Sequence, residues 1–108
     1  KILKCSQYSP FWNRVLGKLP TKLPRSDERC QINVNPVLQF MKVNHIHIGH
    51  SPQFIHGLDI NSTCGDTVWR HDRGMSHTFT NFKKKKTAHT DTHVVEILND
   101  GEQINIIK

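Results

Sequence analysis

The segment His45–Gln53 reads HIHIGHSPQ, and the rest of the chain is best interpreted outward from it. The two isoleucines alternate with the first two histidines, so a β-strand here places isoleucine on one face and histidine on the other. The isoleucine face can then enter an apolar core. Gly49 breaks the strand and presents His50 in a loop, a geometry typical of a metal ligand because the strand fixes the side chain while the loop admits solvent.

The composition indicates one polar domain. Its 108 residues are enough to bury a single core, and the hydrophobic content of 35% and mean hydropathy of -0.55 predict a soluble chain. No apolar run approaches the roughly 20 residues of a membrane helix, and Lys1–Lys4 is too short to act as a signal peptide. We therefore expect a cytoplasmic protein that does not bind membranes.

The three cysteines, Cys5, Cys30 and Cys64, are odd in number and widely spaced, and no two of them form a Cys-x-x-Cys pair. This pattern favours neither a disulfide framework nor a structural zinc site. We predict that the thiols are reduced, as is usual in the cytosol.

The positive charge is concentrated in one run. The net charge is +6, and the four lysines Lys83–Lys86 account for most of the excess. Such a run is typical of a solvated loop. Beyond Phe82, no aromatic residues that could stack on bases are interleaved with it, so we do not expect a nucleic-acid partner.

The region upstream of the histidine strand predicts helix after an irregular start over residues 1–25. Ser26 can cap the helix, and acidic residues occupy its first turn. Pro36 either kinks this helix or lets a second helix begin near Asn35. Five residues are predicted to form the buried face, namely Cys30, Val34, Val37, Leu38 and Met41.

The region downstream predicts two β-hairpins. The first covers residues 59–72 and turns at Gly65-Asp66, and the second covers 94–107. The polar stretch 73–92 between them is expected to be a long loop. A helix on one side of these strands is an α+β arrangement.

Several short runs follow one another in a recognisable order. They are SPFWNR at 9–14, NHIHIGHSPQ at 44–53, DINS at 59–62, VWR at 68–70, Asp72, and GMS at 74–76. This order resembles the carboxyl-terminal half of calcineurin-like metallophosphoesterases, above all the Shewanella-like relatives of the serine/threonine phosphatases, whose runs include GHTPQ, INS and VWRIDVGMS. The resemblance covers roughly residues 9–77.

The resemblance implies that residues 1–108 are the carboxyl-terminal portion of an α/β/β/α sandwich that hydrolyses a phosphorylated protein or a small phosphoester. Two divalent ions (Mn, Fe or Zn) would clamp the phosphate and activate water. His50 corresponds to the last metal-ligand histidine of the family, and Arg14 to a contact for phosphate oxygens. Gly49 would let the strand turn close to the metal, and Asp72 would support the site.

The earlier motifs of the family, GDxHG, GDxxDRG, GNHE and a further HGG, are absent from this chain. These motifs carry most of the metal ligands and the catalytic histidine. We therefore expect the chain to be the back half of a longer protein and to be inactive alone, since one ligand cannot hold a binuclear centre.

Two other functions compete for the same residues. Residues 45–50, HIHIGH, match the HxHxDH signature of metallo-β-lactamase-fold hydrolases at His45, His47 and His50. They differ at one position, where the signature has an aspartate that ligates the second metal. The alternative without catalysis is a binding module, rich in histidine and lysine, for a protein or a polyanion. Five histidines have no counterpart in the phosphatase pattern, and we expect most of them to be solvated or packed: His45, His47, His56, His71 and His77.

Overall fold

The computed structural model describes residues 14–76 and 91–108. Cys5, residues 9–13 of the SPFWNR run, His77 and Lys83–Lys86 lie outside these residues. The described part is an α+β fold, as predicted. Its elements are helices α1 (Val15–Lys18), α2 (Glu28–Asn33) and α3 (Asn35–Met41), strands β1 (Ile46–Ile48), β2 (Asn61–Thr63), β3 (Val68–Arg70), β4 (Val94–Leu98) and β5 (Gln103–Ile107), and 3₁₀ turns at Phe54–His56 and Asn99–Gly101.

Two helices, rather than one kinked helix, follow the irregular start. The side chain of Asp27 caps α2 by accepting a hydrogen bond from the backbone N–H of Arg29 at 3.0 Å, so the prediction of Ser26 as the cap was wrong. Pro36 lies in the first turn of α3, where a backbone N–H has no partner within the helix and its loss costs little.

The break between the helices changes which residues are buried. Cys30, Val34 and Leu38 enter the core, but Val37 and Met41 are 45% and 60% exposed. The prediction for these last two was wrong because the spacing assumed one continuous helix, whereas a new helix at Asn35 resets the direction in which each side chain points.

Strands β1, β3 and β2 form one sheet in that order. The predicted hairpin of β2 and β3 is confirmed as an antiparallel pair, and β1 joins it by pairing in parallel with β3, opposite Val68–Arg70. Ile46 packs on the core while His47 is exposed, which confirms the two faces inferred from the alternation. The second predicted hairpin is confirmed as β4 and β5, a separate two-stranded sheet.

A disulfide between Cys30 and Cys64 lies in the core. It joins α2 to the turn between β2 and β3, and both residues are fully buried. The prediction of reduced thiols was therefore wrong for this pair, and Cys5 lies outside the described residues. Spacing could not reveal the bond, because packing of the helix on the sheet brings two Cα atoms 34 residues apart in sequence to within 5.5 Å.

An ionic cluster attaches the second sheet to the first; its Arg73 and His93 are buried, whereas its Asp91 is exposed. The Arg73 guanidinium donates to an Asp59 carboxylate oxygen at 2.6 Å and also to the backbone carbonyl of Asp91. His93 lies between the carboxylates of Asp59 and Asp91, at 3.2 and 2.8 Å. This cluster fixes the point at which the chain enters β4.

Within the described ranges 14–76 and 91–108, no helix has the length and apolar character needed to cross a bilayer.

Candidate functional site

The candidate site lies at the carboxyl end of β1, where the sequence analysis placed it. His50 is exposed and has a left-handed backbone with φ of 53°, whereas Gly49 does not have a positive φ. The turn that we expected at Gly49 is therefore made at His50. Six other non-glycine residues of the described part also have a positive φ, so this conformation marks a turn and does not by itself indicate function. A Cβ added to Gly49 would meet nothing within 4 Å, so neither the backbone nor the packing of the described residues requires a glycine here.

Arg14 lies directly beside His50. Its Nη1 donates a hydrogen bond of 2.8 Å to the backbone carbonyl of His50, across 36 residues of sequence. Both residues are exposed. The structure therefore brings together the two residues that the resemblance selected independently, one for phosphate and one for metal.

Close packing of α1 against the loop makes this contact possible. A Cβ added to Gly17 would lie 2.6 Å from Oγ and 2.7 Å from Cβ of Ser51, a separation that no side chain tolerates. Gly17 thus lets α1 lie on the residue that follows His50. The sequence analysis gave Gly17 no role, because it did not predict a helix of only four residues within an irregular, proline-containing segment.

A chain of hydrogen bonds supports the same loop from beneath. Arg70 Nε donates to Asn61 Oδ1 at 2.7 Å, Asn61 Nδ2 donates to Gln53 Oε1 at 3.1 Å, and Gln53 Nε2 donates to the Ser51 carbonyl at 2.7 Å. Gln53 and Arg70 are only 2% and 1% exposed. The conformation of the His50 loop is thus fixed from the core.

Burial of Arg70 has an electrostatic cost. Desolvation lowers the pKa of its guanidinium, although an arginine stays protonated, and its Nη2 has no hydrogen-bond partner among the described residues. The VWR and INS runs supply two of the supporting residues, and the sequence analysis used them only as part of the resemblance. The two-residue period of a strand was the signal that could have placed Arg70 on the buried face, because Arg70 follows Val68 by two residues.

Asp72 lies next to the loop, but its main chain makes the contact. Its carbonyl accepts a hydrogen bond of 2.8 Å from the backbone N–H of Gln53. The supporting role that the resemblance gives to its carboxylate stays a prediction.

A cleft of about 360 Å³ opens beside the loop. Arg14, Lys18 and His56 contribute cationic or titratable groups to its wall, and Ser51 contributes a hydroxyl. No aspartate or glutamate among the described residues lines it. Its charge and hydrogen-bonding groups therefore suit an anion such as a phosphoryl group.

The open face of β1 carries a histidine cluster, His45, His47 and His71. His47 Nδ1 and His71 Nε2 are 2.8 Å apart, and the rings of His45 and His47 are 6.3 Å apart. Burial lowers the pKa of both His47 and His71, and for His47 the neighbouring histidines lower it further. The sequence predicted only that most of these residues are solvated or packed, and it gave no sign of this grouping.

A metal site of three or more side chains is absent from the described ranges, since no group of histidine, cysteine, aspartate or glutamate there has a suitable arrangement. His50 alone does not fit a two-ion centre. Any such centre would need further ligands from outside the described residues.

Among known proteins, the chain is similar to an uncharacterized protein of Acanthamoeba polyphaga mimivirus, with 34% identity over 110 aligned positions. The alignment covers 94% of this chain and 41% of that relative, so the chain spans less than half of the relative's length. No family model matches the chain, and no solved structure matches it. Because this relative is uncharacterized, the similarity does not indicate an activity.

Proposed function

We propose that the chain is the carboxyl-terminal part of a metal-dependent phosphoester hydrolase of the calcineurin-like class, acting on a phosphorylated protein or a small phosphoester. The observation that carries the proposal is the hydrogen bond between Arg14 and the His50 carbonyl. Two segments that the resemblance marks as parts of one phosphate site meet here without being neighbours in sequence.

The residues of this chain would contribute recognition rather than the whole of the chemistry. Five N–H donors in a planar fork allow an arginine to hold a backbone carbonyl and to bind phosphate oxygens. Lys18 would add a second positive charge in the same cleft, and the Ser51 hydroxyl a hydrogen bond. Together they would orient a phosphoryl group next to His50.

Two divalent ions, Mn, Fe or Zn, would supply Lewis-acid activation of water in such an enzyme. His50 would provide one ligand, and the others would come from polypeptide outside this chain. The described residues of this chain do not by themselves fit that centre.

Exposed apolar surface supports the proposal that more polypeptide completes the domain. Phe40 on α3 is 86% exposed, and Val94, Ile97 and Ile107 of the β4–β5 sheet are about half exposed. A two-stranded sheet is only marginally stable alone. We infer that the rest of an α/β/β/α sandwich covers these residues, and alignment to less than half of the mimivirus relative is compatible with such a longer protein.

The cellular compartment is part of the same proposal. A cytoplasmic location was inferred from the lack of a signal peptide or a membrane helix, and reduced thiols were expected in addition; the Cys30–Cys64 disulfide contradicts the second expectation. Disulfides persist in oxidising environments and on virion surfaces. The disulfide therefore weighs against the cytosol as the place where the folded protein functions.

The test is hydrolysis of p-nitrophenyl phosphate and of a phosphoserine peptide by the longer polypeptide that contains this chain, with Mn²⁺, Fe²⁺ or Zn²⁺ supplied in turn. We expect activity that requires a metal, that His50→Ala abolishes, and that Arg14→Ala weakens mainly through a higher KM. The isolated 108-residue chain should show no hydrolysis above its own His50→Ala control.

His45→Ala is the matched control variant. It should have little effect on a phosphatase, but it would remove a metal ligand from a metallo-β-lactamase-fold enzyme. Metal-dependent hydrolysis that survives His50→Ala and is lost in His45→Ala would refute the phosphatase proposal.

A further inference from the structure

The histidine cluster lies on the face of the sheet opposite the core. His47 is opposite Trp69 in the parallel register, and His71 follows β3 by one residue, so the two histidines are diagonal neighbours on adjacent strands. The backbone N–H of His71 donates to the Ile48 carbonyl at 3.1 Å, which continues the pairing beyond β3 and fixes the position of the second ring. Both side chains are therefore held by paired backbone rather than by a free loop.

We propose that His47 and His71 form a two-nitrogen chelating site for a divalent transition-metal ion that prefers tetragonal geometry, namely copper(II) or nickel(II). This site is separate from the His50 loop and does not depend on the proposed hydrolase activity.

The separation of the two nitrogens favours this class of ion. Imidazole nitrogens bind such metals at about 2.0 Å, which puts two of them about 2.8 Å apart at adjacent corners of a square and about 3.3 Å apart in a tetrahedron. The observed distance between His47 Nδ1 and His71 Nε2 is 2.8 Å. When the N–H between the two rings moves to the other nitrogen of its own ring, both facing nitrogens carry lone pairs, and a copper(II) or nickel(II) ion can bind them at about the same separation. Tetrahedral zinc would require the two nitrogens to move apart.

The surroundings leave room for the remaining ligands. The planes of the two rings are 39° apart, and each ring must turn so that both lone pairs face the same ion. His47 is exposed, so no core contact prevents its ring from turning. An adjoining cleft of about 520 Å³, lined by His45, His47, Lys42 and Asp100, admits water to complete the coordination. The two charged side chains of that cleft have opposite signs, so they leave the affinity for a cation nearly unchanged.

The protonation state also suits metal binding. Burial lowers the pKa of both imidazoles, so both are neutral at pH 7.5 and need lose no charge before they coordinate an ion.

The experiment is a calorimetric titration of copper(II) into the chain at pH 7.5, with Cys5 replaced by serine so that a thiol does not compete. We expect a one-to-one site. His47→Gln and His71→Gln should each weaken its affinity at least tenfold, because each leaves only one nitrogen of the chelate, and the double variant should lose the site. His56→Gln, at an exposed histidine on another surface, should stay within twofold.

Electron paramagnetic resonance of the copper(II) complex provides a measurement that needs no variant. We expect the hyperfine splitting pattern of two imidazole nitrogen ligands. The proposal is overturned if either single variant binds copper(II) within threefold of the parent, if His56→Gln loses as much affinity as they do, or if the spectrum shows fewer than two nitrogen ligands.

Discussion

Reduction of the Cys30–Cys64 disulfide is expected to destabilise the fold by about 4 kcal/mol. The bond joins residues 34 positions apart. For a loop of this size the chain-entropy relation gives an increase in unfolded-state entropy of about 13 cal/mol/K on reduction, which is about 4 kcal/mol at 298 K. Both sulfur atoms stay in the core when the bond is reduced, so no large cavity adds to this value. Because small domains are stable by only about 5–15 kcal/mol, such a loss is a large fraction of the total.

Urea unfolding of the same chain with and without a phosphine reductant measures the effect. With a slope of about 1.5 kcal/mol per molar urea, the midpoint should fall by about 2.5 M. Cys5→Ser is the matched control, and its midpoint should fall equally on reduction because Cys5 is outside the bond. Alkylation in denaturant without reductant should modify one thiol of three. A midpoint shift below about 0.5 M, or alkylation of all three thiols, would refute the reasoning.

Two further predictions concern the packing of the loop and the acid stability of the fold. Gly17→Ala should lower the free energy of unfolding by about 1–3 kcal/mol, since its Cβ would overlap Ser51. In the control variant Gly49→Ala the new Cβ meets open space, and the free energy should change by less than about 0.5 kcal/mol. Thermal unfolding compares the two variants, and equal losses of stability would contradict the close approach of α1 to Ser51. Burial raises the pKa of Asp59, but hydrogen bonds from Arg73 and the backbone outweigh this and hold the pKa below its usual value of 3.8. The stability that Asp59 contributes should therefore be fully present above that pH and decline as the pH falls through it. Asp59→Asn should remove part of the decline in urea midpoints measured from pH 6 to 3. If the urea midpoint of the variant falls with pH as steeply as that of the parent, Asp59 does not contribute.

A strand or helix could be predicted from the sequence where apolar side chains recur at a regular spacing. Alternation predicted β1, because a strand turns successive side chains to opposite faces. Two runs of strand-forming residues on either side of a turn predicted the β4–β5 hairpin. Pro36 predicted a break or a kink. Helix α1 was missed because four residues are too few to show a period, and Val37 was wrongly placed in the core because the predicted buried face assumed one continuous helix.

The candidate site could also be predicted only in part. The order of short runs marked His50 and Arg14, and their residue types suit metal and phosphate. Sequence contained no evidence of the distance between them, nor of the left-handed turn at His50, the glycine beneath Ser51 or the hydrogen bonds that lead from Arg70 to the loop.

By itself, the sequence determined the strands of the two hairpins and β1, the presence of helix before them, which residue types are available for chemistry, and how many cysteines the chain carries. Only the tertiary structure decided that Cys30 bonds to Cys64, that Arg14 reaches the His50 carbonyl, and that His47 and His71 share a hydrogen bond. The physical reason is one of range: backbone geometry and side-chain alternation act over a few residues, whereas each of these contacts joins residues 24 to 36 positions apart, which meet only when the helices and strands bury their apolar faces together.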